Sequence, residues 1–174
     1  MTGLLVTGFG PFMSVEENPS GLLAARFPDH TVLPVSYRAV DEWLSADPLR
    51  DFQAILMLGV ARSAHFRLEL FAHNEVRGIP DIEGNTPVGS IIEDAHPILG
   101  ATLWPVSLLD KRTQKMRPST DPGRYLCNYI AYRVLHQYPG KKCGFLHVPP
   151  LELMALEDQM KVVRRVVGKI SASW

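Results

Sequence analysis

Short apolar runs that suit buried strands alternate along the chain with segments whose apolar positions recur at helical spacing. Leu4-Leu5-Val6-Thr7-Gly8-Phe9 reads as a buried strand that Gly8, Gly10 and Pro11 stop in a turn. Asn18-Pro19-Ser20 places an N-cap residue before a proline at the first helical position, which predicts a helix ending near Phe27-Pro28. A second strand is expected over Thr31 to Tyr37, and an amphipathic helix over Val40 to Leu49 that Pro48 breaks. Phe52 to Val60 is the most continuous apolar run, the pattern of a central strand covered on both faces.

Phe66, Leu68 and Leu70 then alternate with Arg67, Glu69 and Phe71, a period-two strand that aims the Glu69 carboxylate away from the main aliphatic side. From His73 to Pro97 the chain is rich in Gly, Pro, Asn and Asp, and this stretch is too long for a plain connector; loops of this kind are often lids or binding loops. Beyond it the pattern predicts a strand over Thr102 to Val106 and a helix over Ser107 to Met116. It then predicts a helix over Arg124 to Tyr138, a strand over Gly144 to Val148 and an amphipathic helix over Glu157 to Ile170. Strands alternating with helices argue for an α/β fold, a three-layer α/β/α sandwich around a twisted, mainly parallel (mixed) sheet. With no repeat, linker or low-complexity segment, residues 1–174 are expected to form one domain.

Composition agrees with that picture. A chain of 174 residues is expected to bury roughly two-thirds of its unfolded surface. Its 46% hydrophobic and 21% charged residues are ordinary globular usage. Eighteen Lys and Arg offset eighteen Asp and Glu, so there is no electrostatic reason to expect a nucleic-acid partner. No apolar run is long enough for a membrane span, and the first nine residues lack a basic leader, so a cytoplasmic location is expected. In that reducing compartment the two cysteines, Cys127 and Cys143, should be free thiols.

Cys127 follows the Pro122-Gly123 turn at the start of a predicted helix, where unpaired N–H groups and the helix dipole favour a thiolate. His147 ends a strand just before Pro149-Pro150, at the carboxyl edge where open α/β sheets gather their active groups. Taken singly, each has a plainer reading: a buried thiol, a core imidazole, a solvated strand carboxylate at Glu69. Together they are the parts of a Cys-His-acid triad. Cys143 precedes a strand and is read as structural. His65 and His73 lack ligand spacing and no HExxH or paired CxxC occurs, so no metal is expected. Gly8-Phe9-Gly10-Pro11-Phe12 lacks the third glycine and the immediate helix of a dinucleotide fingerprint.

Thr7 to Phe12, Asn18-Pro19-Ser20, Leu33 to Tyr37, Glu69 to Asn74, Gly123 to Asn128 and His147 to Pro150 together resemble, in this order, the type I pyroglutamyl peptidases, the pyrrolidone-carboxylate peptidases. The resemblance implies a phosphorylase/hydrolase-like fold and removal of an N-terminal pyroglutamyl residue from peptides without cofactor or metal. It also implies Cys127 as nucleophile, His147 as general base, Glu69 as orienting acid, and Phe9 and Phe12 around the lactam ring, with Asn18 and Arg77 as further substrate-binding candidates. Self-association into a homo-oligomer is left open. The chain departs from the family's usual residues at Met13 and Pro122, and at Gly78, where many bacterial members carry an arginine before Ile-Pro-Asp. The alternative is a homologue of altered specificity, a small-amide hydrolase or a catalytically silent binding module on the same fold.

Overall fold

In a computed structural model of the chain, which describes residues 2–13, 15–109 and 115–174, the longest apolar run becomes a central strand. This is β3 (Phe52–Val60), flanked in parallel by β1 (Thr2–Phe9) on one side and β10 (Lys142–Val148) on the other. β2 (His30–Leu33) adds in parallel beyond β1. On the opposite side β4 (Phe66–Glu69) runs antiparallel to β10, and β9 (Met116–Ser119) closes the edge parallel to β4. The order β2-β1-β3-β10-β4-β9 makes a six-stranded mixed sheet.

Alternating side chains of this sheet feed two apolar layers. Leu5, Ile55, Met57 and Phe145 pack against α4 (Leu126–Gln137) and α2 (Tyr37–Ser45). Val6, Leu56, Leu58, Leu68 and Leu146 face α1 (Pro19–Ala24) and α5 (Leu156–Ser171). The result is the three-layer α/β/α sandwich. Period-two geometry sends Phe66 and Leu68 into the second layer and therefore Arg67 and Glu69 toward the α4 side. That face is covered as well, so Glu69 is buried rather than solvated.

Several boundaries differ from the sequence expectation. The second strand stops at Leu33, because Pro34 has no N–H to continue a ladder and the Ser36 hydroxyl accepts from Ala39 N–H, starting α2 at Tyr37. α2 ends at Ser45, before Asp47 turns the chain with a φ of 52°. Residues 102–106 are not a strand. Thr102 and Leu103 donate their N–H groups to the Cys143 carbonyl, and Leu103 and Trp104 lie over Gly144, where a Cβ would meet Leu103 at 2.8 Å. The adjacent Ile98–Gly100 forms β8 instead, antiparallel to β5 (Phe71–His73), and β6 (Val76–Arg77) pairs with β7 (Val88–Gly89), so one small sheet closes the base of the long polar loop and another lies within it. The helix expected over Ser107 to Met116 is observed as α3 (Val106–Leu109); residues 110–114 lie outside the described residues, and Met116 opens β9. β9 tolerates Pro118 because an edge strand leaves one side of its ladder unpaired.

Candidate active site

Four residues fall in one row across the sheet, each the register partner of the next: Gly59 on β3, His147 on β10, Arg67 on β4 and Arg117 on β9. Register partners point to the same face, here the α4 side. Above this row sits the start of α4. Tyr125 is its N-cap residue, which puts Cys127 in the first turn, where N–H groups have no acceptor within the helix. A Cβ placed on Gly59 would lie 2.7 Å from Cys127 Sγ and 2.6 Å from Phe145 Cζ, so the thiol descends onto the one position of the row with no side chain. The thiol therefore lies beside the strand that carries His147.

Asn128 fixes the direction of that helix start. Fully buried, it accepts from His73 N–H at 2.8 Å and donates to the carbonyls of His73 and Glu75 at 2.8 and 3.0 Å. Gly123, with a φ of +83°, makes the turn that leads into α4, and Asp121 Oδ1 accepts from its N–H at 3.0 Å.

His147 and Glu69 are 4% and 2% exposed, and Glu69 Oε1 accepts from His147 Nδ1 at 2.7 Å. With Nδ1 turned to the carboxylate, Nε2 is the ring nitrogen left for proton exchange. The same Oε1 is 3.1 Å from Arg67 Nε, and Arg67 also donates to Ser119 Oγ and to the Asp121 carbonyl. Arg67 was not among the residues expected at the site; its signal was its position two residues before Glu69, hence on the same face of the strand. Trp104 Nε1–H donates to the Glu69 carbonyl at 2.9 Å and ties down the backbone beneath the carboxylate.

The thiol does not behave as its helix position alone suggests. Burial pushes Cys127 up to about 12, the nearby Glu69 charge adds to the rise, and Arg67 and the Cys127 N–H offset only part of it. Desolvation outweighs the helix terminus, and the resting group is a neutral thiol. Burial raises Cys143 to about 12 as well. Reactivity therefore separates the two by access: Cys127 is half-buried, whereas Cys143 is fully enclosed. Iodoacetamide is expected to label Cys127 in the native protein, slowly and with a rate still rising above pH 9, and to reach Cys143 only after unfolding. Peptide mapping after timed quenching checks this, and labelling of Cys143 first would contradict it.

The remaining candidates divide. Phe12 lines a cavity of about 1120 Å³ together with Val60, Ala61 and Pro150, at the carboxyl ends of β1, β3 and β10. Phe9 is buried in the core on the α4 side, its N–H held by Ser20 Oγ at 3.1 Å. Asn18 spends its polar atoms on the scaffold: Oδ1 caps α1 at Ser20 and Nδ2 donates to the Gly10 carbonyl. The Arg77 backbone reaches Arg124 near the start of α4, but its guanidinium is exposed and paired with Glu75 at 2.9 Å, so the structure does not bring that charge to the imidazole-carboxylate pair. Met13 and Gly78 have φ values of 48° and +68°, and an arginine at 78 would be strained on this backbone and crowd Val88. Among the described residues no group of three or more His, Cys, Asp or Glu could hold a metal ion, and no helix is long and apolar enough to cross a membrane.

A buried carboxylate that orders one imidazole, next to a thiol at a helix start on a mixed α/β sheet, is the arrangement of cysteine-type hydrolases. Residues 2–168 match the family model for pyroglutamyl peptidase, and the chain belongs to that family. It is similar to the pyrrolidone-carboxylate peptidase of Thermococcus onnurineus, with 33% identity over 94% of this chain and 96% of that protein. It is also similar to that of Klebsiella pneumoniae, with 31% identity over 89% and 81%. Among solved structures, pyrrolidone carboxyl peptidase from Thermus thermophilus superposes with a TM-score of 0.85 at 32% identity, covering 94% of this chain and 98% of that one. The Thermococcus litoralis enzyme gives 0.87 at 28% identity, covering 99% and 94%.

Proposed function

We propose that this protein, with residues 1–174 as one catalytic domain, is a cysteine exopeptidase that removes an N-terminal pyroglutamyl residue from peptides. The observation that carries the reading is the 2.7 Å His147–Glu69 bond beside the thiol that rests on Gly59, the register partner of His147. Cys127 is the nucleophile, His147 the general base and acid, and Glu69 the group that orients the imidazole and stabilises its protonated form. As Sγ attacks the pyroglutamyl carbonyl carbon, the thiol proton passes to His147 Nε2. The C–N bond breaks and Nε2–H protonates the departing amine, leaving a thioester. Water then gives a proton to Nε2 and attacks that carbon; the C–S bond breaks, pyroglutamic acid leaves, and Sγ recovers its proton. First-turn N–H groups of α4 are suited to the oxyanion. A cytoplasmic setting, where thiols stay reduced, suits this chemistry.

Phe12, Val60, Ala61 and Pro150 give this cavity an apolar part suited to a flat, uncharged lactam, with Glu16, Glu17, Arg62 and Glu152 also in its lining and specificity drawn from the ring and from its N–H and C=O. Proline has the ring but no lactam oxygen, which leaves a buried donor unpaired at about 1–3 kcal/mol and adds a charged amine to desolvate. Pyroglutamyl-aminocoumarin is therefore expected to exceed prolyl-aminocoumarin in kcat/KM by at least about tenfold, with glutaminyl and glutamyl analogues near background. Equal cleavage of the prolyl and pyroglutamyl substrates would favour a hydrolase of different specificity, and cleavage of neither a binding module.

A further inference from the structure

On the other side of His147 from the Phe12 cavity is a second pocket, of about 420 Å³, lined by Ser63, His65, Arg67, Arg117, Ser119 and Asp121 among others. The loop that follows β3 separates the two, with Ala61 and Arg62 on the first and Ser63 and His65 on the second. We propose that this pocket receives the leaving part of the substrate and favours a carboxylate there, supplied by the C-terminus of a short pyroglutamyl peptide or by an acidic residue after the pyroglutamyl group. The inference rests on the function proposed above.

The argument is the order of the row. The thiol stands over Gly59 and the imidazole is its neighbour, so the scissile carbon belongs on the β3 side and the departing nitrogen beside His147. The acyl group then occupies the Phe12 side, and the amine side of the peptide must run over β4 and β9, where Arg67 and Arg117 are the next two residues. Two strand spacings separate His147 from Arg117, about 10 Å. One amino-acid residue plus the reach of an arginine side chain spans that distance, so the nearest negative charge of a short substrate meets the guanidinium groups.

The charges favour an anion. Arg117 is exposed and makes no ion pair among the described residues. Arg67 faces the pocket from behind, with Glu69 buried beneath it at 3.1 Å. The one carboxylate in the wall, Asp121, is engaged by Arg124 at 2.6 Å and by the Gly123 N–H. The hydroxyls of Ser63 and Ser119 supply uncharged donors beside the cations.

The test compares kcat/KM for pyroglutamyl-alanine, pyroglutamyl-alaninamide, pyroglutamyl-glutamyl-amide and pyroglutamyl-lysyl-amide. At least one anionic substrate is expected to exceed alaninamide by about fivefold, the scale of a partly exposed ion pair, with the lysyl amide poorest. Pyroglutamyl-alanine as the preferred one identifies the peptide terminus as the source of charge; the glutamyl amide identifies a side chain. The ratio of acid to amide should fall to about one in Arg117→Gln, persist in Arg117→Lys, and shrink in the parent protein as NaCl is raised. Cleavage of alaninamide with no preference for either anion, or a preference that survives Arg117→Gln, overturns the pocket while leaving the peptidase reading intact. Cleavage of none of the four overturns both.

Discussion

Cys127→Ala is expected to lose at least about four orders of magnitude in turnover of pyroglutamyl-aminocoumarin, because the covalent intermediate has no other nucleophile to form on. Cys127→Ser should be almost as inactive. A hydroxyl is a weaker acid than a thiol, and the site already holds even the thiol protonated, with burial raising it to about 12. Neither change should unfold the protein, since Sγ is a small group resting against Gly59 and the Phe145 ring and Asn128 anchors the helix start independently. The measurement is steady-state turnover beside thermal unfolding of each variant and of Cys143→Ala. The Cys143 variant should keep its turnover, because that thiol lies in the core at the beginning of β10, away from the row that carries the imidazole. Turnover retained in Cys127→Ala would remove the proposed mechanism.

Glu69→Gln is expected to lower kcat about a thousandfold, with KM little changed and measurable turnover left. The amide oxygen of glutamine still accepts from Nδ1–H, so the imidazole keeps the tautomer that presents Nε2. What disappears is the negative charge that stabilises the imidazolium as the thiol proton arrives. Arg67 then loses its partner, but it is 31% exposed and retains Ser119 and the Asp121 carbonyl, so the stability loss should be modest. Glu69→Ala is a harsher change. It empties a buried position and leaves the imidazole Nδ1–H without its acceptor, and is expected to cost about 1–3 kcal/mol in urea unfolding, the range for a buried donor left unpaired. An unfolded Glu69→Gln protein would make Glu69 a structural carboxylate; full activity in a folded one would remove its role in ordering His147.

Glu69 also shows how far one-dimensional reading reaches. Alternation along Phe66 to Leu70 was enough to place the carboxylate on the face opposite Phe66 and Leu68, and that is where it points. Alternation says nothing about what covers that face. Burial, the bond to His147 and the contact with Arg67 come from β10 lying antiparallel beside β4, a pairing between segments some 78 positions apart in sequence. Cys127 is the converse case. Its place in the first turn of a helix was legible from Pro122-Gly123 and the pattern that follows, and so was the expectation of a favoured thiolate. Packing onto Gly59 removed water from the thiol, and desolvation reversed the sign.

The sequence by itself determined the alternation of strands and helices, the central apolar strand, the N-cap at Asn18, the separate strand-end and helix-start positions of His147 and Cys127, and the ordered motifs that mark the family. All of these are local, because propensity, period and capping act within a few residues. Tertiary structure alone decided that Thr102 to Val106 covers β10 instead of adding a strand, and that Met116–Ser119 does add one at the edge despite Pro118. It likewise decided that Arg77 turns to Glu75 while Arg67 joins the carboxylate, and that Gly59, His147, Arg67 and Arg117 stand in one row. Each of these depends on strand register and order. Those are set by burying both faces of the whole sheet together, a condition that no single segment carries.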